Sequence, residues 1–174
     1  MNSNLKKGII NSLLLGIGLI LHQISPPILS VKPDFMLAMM FIIIVLNKDY
    51  KTTLITGITC GILTALTTGF PGGQLPNIID KIITANLMYF MFLPLRNRMS
   101  NQLKIILSSS VGTLISGFIF LFSASILVGL PGSVSLSTLF IAVVVPAALV
   151  NAIAGTVIFN AIQVSFKRSN INIF

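Results

Sequence analysis

The residues of this sequence that could do chemistry are two lysine–aspartate pairs beside long apolar runs. Lys32 and Asp34 flank Pro33, and Asp80 directly precedes Lys81. A charged group at the edge of a membrane helix is costly unless it faces protein or water. One interpretation is that each pair only neutralises itself, with the aspartate favoured by the positive end of a helix N-terminus. The other is a zwitterion site, in which lysine binds a carboxylate and aspartate binds an ammonium group.

Polar residues around the second pair extend the candidate site. Asn77, Lys81 and Thr84 follow helical spacing and share one face, with Asp80 next to it. We expect these four side chains to form one wall of a small-molecule site that opens outward. Gln74 lies just before them, in a turn-forming loop that is rich in glycine and proline.

Two polar residues in other apolar runs are further candidates. His22 comes late in the first run and Asn151 early in the last one. A lone histidine is more often a structural hydrogen-bonding group than a ligand, and no neighbours complete a metal site. An amide is unfavourable in lipid, so we expect Asn151 to face protein or ligand. The candidate substrate-binding residues are Asp80, Lys81, Asn77, Thr84, Asn151, Lys32, Asp34, Gln74 and His22.

The composition is that of an all-α, polytopic membrane protein. Of the 174 residues, 55% are hydrophobic and 8% are charged, and the mean hydropathy is +1.00. Soluble domains contain about a quarter charged residues. A membrane-crossing helix needs about 20 apolar residues, and the apolar runs predict six such helices in a single domain. The expected spans are about 8–28, 33–46, 52–69, 77–95, 103–127 and 146–166.

The sixth span depends on the position of a proline. The apolar run 136–166 is too long for one ordinary span. Pro146 interrupts it, and proline is tolerated in the first turn of a helix but not in its interior. We therefore expect the sixth helix to begin at Pro146, with 136–145 as a short lead-in segment.

The distribution of basic residues predicts the orientation in the membrane. With six spans, one side holds all lysines and arginines except Lys32 and Lys81. Cytoplasmic loops carry the excess of basic residues, so both termini are expected to be cytoplasmic. The richer side contains Lys6, Lys7, Lys48, Lys51, Arg96, Arg98, Lys104, Lys167 and Arg168. This asymmetry accounts for the net charge of +8 without a nucleic-acid partner.

Missing motifs narrow the class of function. The sequence contains no phosphate-binding G-x-x-x-x-G-K-[ST] pattern and no H-E-x-x-H pattern. We therefore expect neither an enzyme nor a bound metal or cofactor. The expected spans also leave Asp34 and Asp80 at the outer rim rather than in the mid-membrane region, where a proton-coupled pump usually has an acidic relay. A substrate binder without its own energy source remains.

Small residues at four-residue spacing predict close helix packing. Gly57, Gly61, Ala65 and Gly69 form such a stripe on the third helix, where an internal seam is the favoured interpretation. The first helix carries a second stripe in its expected cytoplasmic half. That stripe consists of Gly8, Ser12 and Gly16, and it is a candidate contact with another membrane protein.

Two motifs resemble a known family. VKPDFMLAMMF at 31–41 and TALTTGFPGGQLPNIIDK at 64–81 resemble the tryptophan-transport family TrpP, which looks like the substrate-binding S components of energy-coupling factor (ECF) transporters. The resemblance implies tryptophan bound near the outer face, under the loops after the first and third helices. It also implies a transmembrane coupling subunit and two cytosolic ATPases as partners, met by an Ala-xxx-Ala pattern to which Gly8, Ser12 and Gly16 correspond. Asn151 resembles a ligand-contacting position.

Other functions stay open at this point. The chain could be a structural or scaffold protein of envelope-building machinery, or a stand-alone secondary amino-acid transporter. The residues themselves favour a zwitterion with an apolar side chain, and they do not select tryptophan among such amino acids.

Overall fold

A computed structural model describes residues 3–28 and 32–169, which fold into helices. The described residues contain α1 (Ser3–Ile24), α2 (Phe35–Asn47), α3 (Tyr50–Leu66), α4 (Gln74–Phe92), α5 (Asn101–Leu127) and α6 (Leu136–Arg168). A short 3₁₀ turn, Pro131–Ser133, lies between the last two. The expected all-α class is confirmed.

Short polar side chains fix where several helices begin. Asp34 caps α2 by accepting a hydrogen bond from the backbone N–H of Leu37, and Asp49 caps α3 in the same way through Thr52. Ser100 and Ser135 cap α5 and α6. Such caps satisfy backbone donors that a helix N-terminus otherwise leaves unpaired. Asp34 is therefore held rigidly at the start of α2.

Helix α2 is the centre of the fold. Every residue from Met36 to Val45 is buried, so this helix is apolar around its whole circumference. It contacts all five other helices. At 13 residues it is about 20 Å long, which is shorter than the hydrocarbon core of about 30 Å. The surrounding helices shield it from lipid.

The stripe of small residues on α3 is an internal seam at Gly57 and Gly61, as expected, whereas Gly69 lies beyond the end of the helix and has no packing neighbour among the described residues. A Cβ added to Gly57 would lie 2.8 Å from the Cβ of Ala85 on α4. At Gly61 it would lie 3.1 Å from the Cα of Ile78. The missing side chains let α3 and α4 approach closely, and this positions the polar face of α4.

The regular α-helical part of the sixth helix begins at Val145 with Pro146 in its first turn, as expected, but the helix as a whole is longer than expected. Helix α6 begins at Leu136 and continues through the proline to Arg168. A π-helical stretch, Phe140–Val144, directly precedes Pro146. A proline ring collides with the carbonyl four residues earlier in a regular α-helix, whereas a wider π-turn changes that spacing. The segment 136–145 is therefore part of the helix.

Three of the described helices are long and apolar enough to cross a membrane: Asn4–Ile24, Asn101–Leu127 and Leu136–Arg168. Helix α1 also exposes a row of large apolar side chains along its length. These are Leu5, Ile9, Leu13, Ile17, Ile20 and Ile24. A contiguous apolar surface of this kind fits contact with lipid. A membrane location agrees with both observations, whereas the number of spans and their direction stay predictions.

Candidate ligand-binding site

A cavity of about 460 Å³ lies beside both lysine–aspartate pairs, and all six helices contribute to its wall. Its volume falls in the range of small-molecule sites, roughly 300–1,000 Å³. Most of the candidate residues line it, namely His22, Lys32, Asp34, Asn77, Asp80, Lys81 and Asn151. Gln74 is exposed and Thr84 is buried behind the wall, and neither lines the cavity.

The fold joins the two charged pairs through one lysine. The Nζ atom of Lys81 lies 2.7 Å from Asp80 Oδ2 and 3.0 Å from Asp34 Oδ2. Asp34 is thus paired with a residue 47 positions away rather than with its neighbour Lys32. Lys32 is exposed at the cavity and forms no ion pair with the described residues. We call Asp34, Asp80 and Lys81 the charged triad.

The ammonium group of Lys81 has no donor left for a ligand. It donates to Asp34, to Asp80 and to Ser116 Oγ at 3.2 Å, which uses its three N–H groups. Its side chain is only 4% exposed. The expectation that this lysine binds a ligand carboxylate directly therefore needs revision. Lys81 instead holds the two carboxylates in place.

Asp80 accepts three side-chain hydrogen bonds, and it is more deeply buried than expected. Its side chain is 1% exposed, inside the bundle rather than at the rim. Thr84 Oγ1 donates to Oδ1 at 2.9 Å, and Ser116 Oγ donates to Oδ2 at 2.8 Å. Thr84 thus supports Asp80 from behind. Ser116 on α5 is a residue that the sequence analysis missed, because an isolated helical serine carries no distinguishing signal.

Asp34 is the member of the triad that remains open to the cavity. Its side chain is 24% exposed. Oδ1 accepts from the Leu37 N–H at 3.0 Å and Oδ2 accepts from Lys81. Each oxygen of a carboxylate can accept two hydrogen bonds, so both retain capacity. This carboxylate can therefore bind a cationic group from the cavity.

Asn151 fixes the backbone at Asp34. Its Oδ1 accepts a hydrogen bond from the backbone N–H of Asp34 at 2.9 Å, across 117 positions of sequence. Its Nδ2 donates to Thr113 Oγ1 on α5 at 3.2 Å. Asn151 also lines the cavity. The contacts give it a positioning role, which joins α5 and α6 to the residue that caps α2.

His22 brings an unpaired ring nitrogen to the same place. Its Nδ1 is buried without a hydrogen-bond partner among the described residues. Asp34 Oδ1 lies 3.6 Å from it, which is beyond hydrogen-bond distance. A buried polar atom without a partner is unusual. A ligand group between His22 and Asp34 would satisfy both.

The cavity is also lined by apolar and aromatic side chains. Phe70 and Phe120 meet edge to face, with ring centroids 5.3 Å apart. Leu139, Val143 and further apolar residues of α6 complete this wall. They belong largely to the segment that the sequence predicted as a lead-in. The site therefore combines a charged end with a pocket for a flat, apolar group.

The stripe on α1 lies away from this cavity. A Cβ added to Gly8 or Gly16 would have no neighbour within 4 Å. Together with Ser12, these residues line a separate crevice of about 770 Å³ between α1 and α3. In contrast to the seam between α3 and α4, this stripe packs against nothing in the described residues. No cluster of metal-binding residues occurs in the described ranges either.

Comparison with known proteins identifies the family. The model of the family described as "Tryptophan transporter TrpP" matches residues 4–167. A "Probable tryptophan transport protein" of Clostridium acetobutylicum is 54% identical, over 96% of this chain and 97% of its own. Proteins with the same description from Bacillus subtilis and Clostridium perfringens are 44% and 43% identical, and each alignment covers at least 95% of both chains. No solved structure matches the chain significantly.

Proposed function

The chain belongs to the TrpP family of tryptophan transporters, and we propose that it binds tryptophan in the cavity beside the charged triad. The observation that carries this proposal is the cavity itself, which is lined both by a partly exposed carboxylate and by a pair of aromatic rings. An amino acid with a large flat side chain matches both ends of such a site. The relatives named above are described as tryptophan transport proteins.

The ammonium group of the ligand binds Asp34. This carboxylate is the one in the triad that combines exposure with free acceptor capacity. The unpaired Nδ1 of His22, 3.6 Å from Asp34 Oδ1, offers a second acceptor for the same group. Asp80 and Lys81 do not contact the ligand in this arrangement. They hold Asp34 in place, and their hydrogen bonds are made to protein groups.

The carboxylate of the ligand binds Lys32. This lysine lines the cavity and has no ion pair among the described residues, whereas Lys81 has no free donor. Asn77 also lines the cavity, and its Nδ2 donates one hydrogen bond to the Gly73 carbonyl, which leaves one N–H free.

The indole ring lies against the aromatic wall. Phe70 and Phe120 offer edges and faces to a third ring, an arrangement worth about 0.5–1.5 kcal/mol per aromatic pair beyond area burial. Leu139 and Val143 close the pocket from α6. This wall favours aromatic over small aliphatic amino acids.

The cavity opens to the outside of the cell in a six-span arrangement with both termini in the cytoplasm. The basic residues support this orientation, because only Lys32 and Lys81 fall on the other side. Lys81 is neutralised within the triad. Lys32 has the proposed role in ligand binding. The contacts of Lys32 and Lys81 therefore account for the two basic residues that lie on the non-cytoplasmic side in this arrangement.

We further propose that the chain is the substrate-binding component of an ECF-type transporter. It contains no phosphate-binding motif of its own. The α1 stripe of Gly8, Ser12 and Gly16 borders an unfilled crevice. Small residues at this spacing let a second helix approach closely in a membrane. A transmembrane coupling subunit is the proposed occupant, with cytosolic ATPases as the energy source.

A stand-alone secondary transporter is the second candidate, and the burial of Asp80 favours it. Ionisable groups inside a membrane protein often mark proton relays, and Asp80 is 1% exposed. A scaffold protein of envelope-building machinery receives no support, since the relatives are described as transport proteins.

Ligand binding and liposome uptake test these proposals separately. The chain contains no tryptophan, so indole emission in a titration comes from the ligand alone. Saturable binding of tryptophan that other amino acids do not displace supports the binding proposal, and equal competition by leucine contradicts it. Uptake into liposomes that requires added coupling subunit, ATPases and ATP supports the ECF role. Uphill uptake by the chain alone under a proton gradient makes it a secondary transporter.

A further inference from the structure

We propose that the site is primarily a receptor for protonated aromatic amines, and that it binds tryptamine about as well as tryptophan. The proposal rests on the proposed function, because it assigns the indole and ammonium groups of the ligand to the same cavity. It adds a class of ligand, the aryl-alkyl ammonium ions that lack a carboxylate.

The charge of the cavity is the first argument. The triad contains two carboxylates and one ammonium group, which leaves one formal negative charge. Asp80 accepts hydrogen bonds from Lys81, Thr84 and Ser116, so the carboxylate that faces a ligand is that of Asp34. A cationic ligand group neutralises this enclosed triad, whereas a ligand carboxylate has only the exposed Lys32 to pair with.

The unequal burial of the charged groups is the second argument. Asp34, the proposed partner of the ligand's ammonium group, is mostly enclosed and is fixed by the Leu37 N–H and by Asn151. Lys32, the proposed partner of the ligand's carboxylate, is exposed. Exposed ion pairs contribute little because water and salt screen them and a long side chain must be ordered. The ammonium group of the ligand therefore carries most of the polar recognition.

The third argument is that few donors, and only one unpaired lysine, remain for a ligand carboxylate, since each of Asn77 and Asn151 retains a single neutral amide N–H. Lys81 donates all three of its N–H groups within the triad and to Ser116. The amide of Asn151 is engaged with Asp34 and Thr113. Among the cations of the described chain that line the cavity, Lys32 alone is free to pair with a carboxylate.

The test compares three indole ligands on the purified full-length chain. Tryptophan carries both charged groups, tryptamine carries only the ammonium group, and indole-3-propionate carries only the carboxylate. We expect the dissociation constant of tryptamine to lie within about fivefold of that of tryptophan. Indole-3-propionate is expected to bind at least about 30-fold more weakly. All three are measured by indole emission, since the protein has no tryptophan.

A lysine substitution separates the two ends of the ligand. Lys32→Met should raise the dissociation constant of tryptophan by no more than about fivefold and leave that of tryptamine unchanged. Lys51→Met, at an exposed lysine of α3 outside the cavity, is the matched control and should change neither.

Each outcome decides the proposal. Tryptophan binding with no tryptamine binding overturns it while the proposed function stands. Binding of indole-3-propionate as tightly as tryptophan overturns it too. Tryptamine binding without tryptophan binding supports the amine site and contradicts the proposed function. Cys60 is buried in the folded chain, so a thiol that does not react shows that the protein is folded. If no indole ligand binds to such a folded chain, this proposal and the proposed function both fail.

Discussion

Removing the ammonium group of Lys81 should destabilise the protein strongly, because two carboxylates depend on it. Lys81→Met leaves Asp80, at 1% exposure, without the partner that lies 2.7 Å away. Breaking a buried ion pair by deleting one partner costs about 3–5 kcal/mol. For a chain of this length each kcal/mol shifts the melting temperature by roughly 2–4 °C. We therefore expect a decrease of about 6–20 °C.

The double variant Asp80→Asn with Lys81→Met supplies the control. It removes both members of the buried pair, and the new amide can still accept from Thr84 or Ser116. Residues in one ionic network show coupling energies of about 0.5–3 kcal/mol. We expect the double variant to be more stable than Lys81→Met alone by roughly this amount. Asp34 is partly exposed, so its loss of a partner adds less to the cost.

Cys60 provides the assay. It is the only cysteine, and it is completely buried in α3. A thiol-reactive fluorescent dye therefore reports unfolding in detergent as the temperature rises. A Lys81→Met variant as stable as the wild type would refute the reasoning. So would a double variant less stable than Lys81→Met, because the carboxylate of Asp80 would then not be the source of the cost.

Three other substitutions test separate parts of the account. Asn151→Leu should weaken the binding of tryptophan and of 1-methyltryptophan alike, about 10-fold, because it removes the hydrogen bond that fixes the backbone of Asp34. A selective loss of tryptophan binding in equilibrium titrations would instead make Asn151 the acceptor of the indole N–H. Ser12→Leu should abolish ATP-dependent uptake in liposomes and leave tryptophan binding intact, because it fills the open stripe beside Gly16; lost binding would place the stripe inside the fold. Phe120→Ala should weaken tryptophan binding by about 2–12-fold, the loss expected for one aromatic pair, and should leave the binding of a weaker ligand such as valine unaffected. An equal loss of affinity for both ligands in competition titrations would contradict contact between the indole ring and this wall.

The sequence predicted the helical class and several of the polar residues that line the cavity, for identifiable reasons. Asn77, Asp80 and Lys81 share a face of α4 because helical spacing alone decides it. The α3 seam followed from Gly57 and Gly61, since small residues at this spacing mark close packing. These features depend on local sequence.

The parts that failed depend on contacts between distant residues. Lys81 pairs with Asp34 across 47 positions, and this contact decides which carboxylate stays free for a ligand. No local pattern distinguishes Ser116 from the other helical serines, although it bonds to both Asp80 and Lys81. The sequence does not predict that 136–145 is helical and continuous with the helix that begins near Pro146, because the intervening π-turn leaves no sequence signal.

The most direct measurement is a tryptophan titration of two matched aspartate variants. Asp34→Asn keeps a side chain that can cap α2 and removes only the charge, and Asp49→Asn makes the same change at the cap of α3, outside the cavity. A hydrogen bond to a charged group contributes about 1.5–3 kcal/mol. The account predicts that Asp34→Asn raises the dissociation constant about 10- to 150-fold and that Asp49→Asn leaves it unchanged. Equal affinity in the wild type and both variants would contradict tryptophan binding at this cavity.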